Sequence, residues 1–239
     1  MLPIALLTAV CAVTYSFEIV FGLAGTIIMM MVMTFVFDTK TLVIYSALPQ
    51  IMVGVIGLLR SPRTVEIGYL ARMLAFACVG GVAGLYLFYF IPPTVFHTLL
   101  ASAITVFGFY LVVFPTRLKL NRPIAHALDV LAGASQALFG ISGPIAMTRL
   151  LGSFQDKTVV RNYALAFFLS LNVLRVGSYV VGGTITPEIG RMMLISAPVL
   201  AVTLWFANHL HFKVNETMFR RVVAWIILFG GLSLLLHDA

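Results

Sequence analysis

Apolar residues along this chain come in long unbroken stretches, punctuated by Gly, Pro and charged residues. The punctuation divides the sequence into eight segments at about 2–37, 41–59, 66–91, 94–115, 124–154, 158–183, 187–208 and 217–236. None alternates with the two-residue period of a half-solvated strand, so each is predicted to be helical. Six have roughly the 20 residues a helix needs to cross the hydrocarbon of a bilayer. The first and fifth exceed 30 residues. At about 1.5 Å per residue, that is half as long again as the hydrocarbon is thick. Each also carries a helix-weakening cluster at its middle: Phe21-Gly22-Leu23-Ala24-Gly25 in the first, Phe139-Gly140-Ile141-Ser142-Gly143-Pro144 in the fifth. Both are predicted to break there.

The two long segments also match each other. A shift of 118 residues lays Phe21 on Phe139, Gly22 on Gly140, Gly25 on Gly143, Ile27 on Ile145 and Asp38 on Asp156, with Glu18 opposite Gln136. Further on, Phe96, Gly108 and Leu111 match Phe219, Gly231 and Leu234 at a shift of 123. The chain is expected to be two repeats of four segments, residues 1–117 and 122–239, joined near Thr116–Pro123. The predicted fold is an all-α polytopic membrane protein in which the first segment of each repeat is a broken, re-entrant helix. Weak internal repeats of this kind mark many transporter folds.

Composition agrees. Of 239 residues, 61% are hydrophobic and 10% charged, with a mean hydropathy of +1.07. A soluble domain is about a quarter charged, because its surface must face water. Within lipid, backbone groups must be satisfied inside helices or a closed barrel, and long non-alternating runs select helices. The formal net charge of +7 would suit nucleic acid, but there is no basic run, zinc-finger spacing or aromatic–basic surface. Cys11 and Cys78 lie in apolar stretches, form no Cys-x-x-Cys, and read as small packing residues. No basic residue precedes the stretch Leu6–Cys11 and the apolar run continues past it, so it is expected to belong to the mature fold.

Charge placement bears on topology. If all eight segments span, the basic residues divide seven against seven between the two faces, with Arg175 mid-span. If the first and fifth instead enter and leave on one face, each repeat crosses three times and the second is inverted. Twelve basic residues then share one face, with only Lys40 and Arg191 toward the other. Under the positive-inside rule the twelve face the cytoplasm and both termini lie outside. Charge thus favours six spans, two broken hairpins and inverted repeats.

Such hairpins suggest chemistry. A helix that starts mid-membrane presents unpaired N–H groups carrying partial positive charge, which suits an anion. Gly22, Gly25, Gly140 and Gly143 let the backbone turn and approach a ligand closely, Ser142 adds a hydroxyl, and Pro144 suits a first helical turn. In an inverted arrangement the two elbows meet near the midplane, where inverted-repeat transporters hold substrate. Close helix packing is the plainer role for glycines, and is what Gly80-Gly81-x-x-Gly84 is expected to serve. Arg175 lies mid-way along the sixth segment, where a buried charge is costly and marks a substrate, ion or partner site. Its planar fork suits carboxylate or sulfonate oxygens, while a structural ion pair with Glu18 competes with that role. Glu18 is a candidate proton carrier, since a carboxyl shielded from water can alternate between charged and neutral forms. Ser46, Gln50, Gln136, Asn162, Ser170 and Asn172 can hydrogen-bond a ligand, although polar residues also bind helices together. Asp38 and Asp156 are expected to cap the helices that follow them. His209 and His211, two residues apart, rarely share a helical face, so no metal site is expected.

With these features the chain resembles the TauE/SafE sulfite-exporter family. The resemblance rests on the paired Phe-Gly-x-x-Gly elbows at Phe21–Gly25 and Phe139–Gly143. It rests also on Arg60, Arg63 and Glu66-Ile67-Gly68-Tyr69 before the third segment, and on Phe219-Arg220-Arg221 opening the last. Together these cover essentially the whole chain. Members usually carry a richer glycine run after the elbow, where this chain has Thr26-Ile27 and Pro144-Ile145. The resemblance implies secondary transport of sulfite, an organosulfonate such as sulfoacetate, or a related organic acid across the bacterial inner membrane, with no cofactor.

Two classes of function stay open on the residues: a facilitative or proton-linked anion transporter, and a passive anion channel using the same elbows. An intramembrane enzyme would need paired carboxylates, a His-Glu-x-x-His, or a Ser/Lys or Cys/His set at one depth, and the sequence offers none. The expected partners are a small anionic substrate and the lipid bilayer, not nucleic acid, with a homodimer left open.

Overall fold

The computed structural model describes residues 2–21, 24–59, 64–113, 120–209 and 216–237 and is all-helical over them. The first apolar segment forms α1 (Leu2–Phe21) and α2 (Gly25–Met33); the next three form α3 (Thr39–Leu59), α4 (Ile67–Phe90) and α5 (Pro93–Val113). The fifth forms α6 (Arg122–Phe139) and α7 (Gly143–Leu151), followed by α8 (Lys157–Val181), α9 (Pro187–His209) and α10 (Glu216–His237). Each long segment is thus two helices, broken at the glycine cluster.

Local chemistry sets the ends. Asp156 Oδ1 accepts from Thr158 N (2.7 Å) and Val159 N (3.1 Å), and Asp38 Oδ2 from Thr41 N (3.0 Å), so both aspartates cap as expected. Asn121 does the same for α6, accepting from Ile124 N at 3.1 Å, with Pro123 in the first turn. Gly140 ends α6 in the left-handed region, at φ 72°, which glycine alone adopts without strain.

Among the described residues six helices are long and apolar enough to cross a membrane: α1, α3, α4, α5, α8 and α9. The chain is therefore a multi-pass membrane protein. The sequence reading counts α10 and not α1 among the crossings. In the structure α1 has a full spanning length of 20 residues against 9 for α2, so the break is off-centre. The described apolar run of α10 is Ala224–Leu236.

The helices pack in a recurring scheme. α1 lies on α9 and α4 on α6; α3 packs against α8 and α5 against α10; α3 also touches α9, and α4 touches α8. Each short helix docks on its own long arm and on the following helix, α2 on α1 and α3, α7 on α6 and α8. α7 folds back along α6, bringing Arg149 near its end to Asp129 on the long arm.

Glycine governs the closest contacts. A Cβ on Gly108 would lie 2.5 Å from Leu228 Cα, and one on Gly231 2.6 Å from Thr105 N, so α5 and α10 touch backbone to backbone. At the α4–α6 contact, a Cβ on Gly80 would overlap the Val130 carbonyl, and one on Gly133 the Ala77 carbonyl. Gly81 is looser, its nearest such neighbour being Gly133 O at 3.9 Å. Gly80→Val is expected to force these helices apart and destabilise the fold by about 1–3 kcal/mol, the usual range for overpacking. Gly81→Ala should be near neutral. Thermal unfolding of the purified variants checks the contrast.

Candidate functional site

The breaks in the two long segments come together. Gln50, on α3, joins them: its Nε2 donates to Thr26 Oγ1 at the start of α2 and to Gly140 O, 2.7 Å away, at the end of α6. Its Oε1 accepts from Gln136 Nε2 at 2.7 Å, and Gln136 Nε2 also donates to Asn172 Oδ1 at 3.1 Å. Ser142 Oγ donates to Gln136 Oε1 at 2.6 Å. All of these side chains are buried, so the bonds between them satisfy groups that would be costly left bare.

Arg175 closes the chain of bonds. Its Nη1 donates to Asn172 Oδ1 (2.7 Å), Nη2 to Val43 O (2.9 Å), and Nε and Nη2 to Tyr179 Oη (3.3 and 3.2 Å). A Cβ on Gly140 would sit 3.0 Å from Nη2, so the guanidinium lies directly against that elbow. Arg175 is 2% exposed, yet its acceptors are all neutral.

The other elbow holds the opposite charge. Glu18 Oε2 accepts from Thr26 N at 3.0 Å, placing a carboxyl at the N-terminus of α2. Gly25 lies against it: a Cβ there would overlap Glu18 Oε2 and come within 2.8 Å of Thr14 O. Tyr15 Oη and Thr26 Oγ1 share a hydrogen bond at 3.1 Å. The structural pair of Glu18 with Arg175 is not formed, and the ion pairs among the described residues lie elsewhere. Complementary charge suggested that pair, but each group is met locally, Glu18 by a backbone amide and Arg175 by neighbours on α3 and α8.

Between the elbows is a small pocket. Glu18, Gln50, Gln136, Gly140, Ser142 and Gly143, six residues singled out in the sequence, line it. Asn172 and Arg175 stand in the network behind Gly140, and Gly25 backs Glu18. Gly22 lies outside the described residues. Ser170 does not join the site, because its hydroxyl donates to Ala166 O on its own helix at 2.8 Å. Thr26, Ile27, Ile141 and Phe168 complete much of the wall and went unrecognised in the sequence. Phe168 precedes Asn172 by one helical turn, a spacing that puts both on one face. His209 Nδ1 donates to the Trp205 carbonyl at 2.6 Å, while His211 lies outside the described residues.

The profile of the sulfite exporter TauE/SafE family matches residues 6–234, nearly the whole chain. The chain belongs to the TauE/SafE family. The match takes in both elbows and every residue of the network between them. Neither the curated proteins nor the solved structures offer a match to this TauE/SafE chain. The family description is that of a sulfite exporter.

Proposed function

We propose that the protein is a secondary transporter of a small anion, sulfite or an organosulfonate such as sulfoacetate, held where the two helix breaks meet. The observation that carries this reading is Arg175: a buried guanidinium with no carboxylate in ion-pair reach among the described residues. A buried cation whose partners are all neutral leaves charge to be met by an anion. The start of α7 points the same way. Gly143 lines the cavity, and the first N–H groups of a helix carry its positive end. Substrate is taken to sit against Ser142 and Gly143, with Arg175 behind Gly140 supplying charge and Phe168 an apolar wall.

Inverted repeats are part of the proposal. Under an exchange of α1–α5 with α6–α10, the packing of α1 on α9 becomes that of α6 on α4, and α3–α8 and α5–α10 map onto themselves. The reciprocal contacts of Gly108 and Gly231 support the same symmetry. Were each hairpin to enter and leave on one face, despite the spanning length of α1, the twelve-to-two charge split would favour termini outside the bacterial inner membrane.

Glu18 is the proposed coupling group. Protonation would remove the negative charge that now meets the Thr26 N–H. Flux into proteoliposomes tests both claims. Sulfite or sulfoacetate should accumulate beyond its electrochemical equilibrium when a proton gradient is imposed, which a channel cannot do. Glu18→Gln should keep anion exchange and lose the response to the gradient. Coupling that survives unchanged in that variant removes Glu18 from the role.

A further inference from the structure

A second polar cluster lies on the second hairpin, away from the elbow. Asp129, on α6, is 1% exposed and meets Arg149, on α7, which is 5% exposed. The Arg149 Nε–H is directed at Asp129 Oδ2, 3.3 Å away. Oδ1 is nearer, at 3.1 Å, but receives no hydrogen bond. One turn earlier on α6, His126 places Nδ1 3.7 Å from Oδ2, too far to bond, and that nitrogen is buried without a partner. The His126 ring is stacked on Phe76 of α4 at 4.0 Å, which fixes its orientation. The unpartnered imidazole nitrogen thus faces the carboxylate oxygen that Arg149 engages, and a proton on it would give that oxygen a second cationic neighbour.

We propose that His126 and Asp129 form a proton-binding site whose loading releases the clasp between α6 and α7. The inference rests on the reading of α6–α7 as the hairpin that carries the substrate site. With His126 neutral, the carboxylate has one cationic partner and ties α6 to α7. A proton on Nδ1 makes a second cation within the same helix, and the carboxylate is drawn from Arg149 toward His126. An ion pair between helices becomes an ion pair within one. Arg149 then keeps only its bonds to Tyr69 Oη (2.8 Å) and Ser153 Oγ.

The groups facing the pair are few. α7 supplies Arg149, and α4 supplies Tyr69, whose ring lies 5.4 Å from the Arg149 guanidinium carbon. Behind Tyr69 stands Tyr163 of α8, at 5.4 Å between rings. Other charged side chains near in sequence, Glu66, Arg72 and Arg122, are exposed. The first hairpin argues against a purely structural role. The positions 118 residues earlier are Cys11 and Met31, so a hairpin of this kind forms with no ionic clasp. A buried ion pair is also weak evidence of stability, because apolar replacements are often as stable, whereas a switch needs it.

Amide hydrogen exchange of α6 and α7 tests this on the full protein in lipid nanodiscs, without substrate. Lowering pH from about 8 to about 5.5, across the range where histidines titrate, should speed exchange of α7 roughly tenfold after correction for the intrinsic rate. His126→Gln should hold the slow rate at both pH values. Asp129→Asn should be fast at both; should it fail to fold, the His126→Gln comparison decides alone. Glu18→Gln should respond like the wild type. The proposal is overturned if the wild type shows no acceleration, or if His126→Gln keeps it. Because no anion is present, either result leaves the substrate reading untouched.

Discussion

Arg175→Ala is expected to weaken binding of sulfite or sulfoacetate about 100-fold, the equivalent of roughly 3 kcal/mol for charge-assisted bonds to an anion. The guanidinium does two things at once. It orders Asn172, the Val43 carbonyl and Tyr179, and it supplies positive charge beside the Gly140 elbow. Alanine removes both, so the variant also loses stability by leaving Asn172 Oδ1 with one donor fewer. The informative quantity is therefore the shift in Tm that each anion produces, which follows binding to the folded state. Arg175→Lys retains the charge without the planar fork and should fall between, at about tenfold. A full anion-induced shift in Arg175→Ala would assign the residue to structure alone.

Gly140→Ala carries the second large effect. The residue holds φ 72°, where a side chain costs about 1–2 kcal/mol. The added Cβ would also lie 2.9 Å from Ser46 Oγ and 3.0 Å from Arg175 Nη2. Ser46 has its own bond to Val43 O and the guanidinium is bonded to Asn172, Val43 O and Tyr179, so relief of the contact disturbs one or both. Stability should fall by about 2 kcal/mol from strain and misfit together, and anion affinity by about tenfold or more as the contact between elbow and guanidinium is disturbed. Gly177→Ala, at a position with nothing within 4 Å of its Cβ, serves as the control. Thermal unfolding with and without anion separates the two losses.

Much of the fold was legible because the bilayer imposes it. Length and hydropathy mark the helices, and only glycine clusters interrupt segments too long for one crossing, so the amino-acid pattern alone locates the breaks at Ala24 and Gly140. The caps at Asp38 and Asp156 follow from local chemistry and were equally legible. Contacts between distant helices were not. Arg175 was expected to be buried and is, yet its partners Val43 O and Tyr179 depend on where α3 packs and how α8 turns. Ser170 looked suited to a ligand, but a serine inside a helix has its own carbonyl four residues back to bond. The Asp129–Arg149 pair was missed because the two residues meet only once α7 folds back on α6, 20 positions apart. Thr26 was hidden for a related reason: its amide and hydroxyl become the link between Glu18 and Gln50 only when both elbows converge.

The location of the anion is the most direct test of the whole account. Selenite, a heavier analogue of sulfite, can be bound to the purified protein and found by the anomalous signal of selenium. The proposed site predicts one buried position in the cavity between the breaks, within hydrogen-bonding reach of Ser142 Oγ or the first amides of α7, and lost in Arg175→Ala. Selenite found only at the protein surface, or bound in the cavity equally well without Arg175, would contradict it.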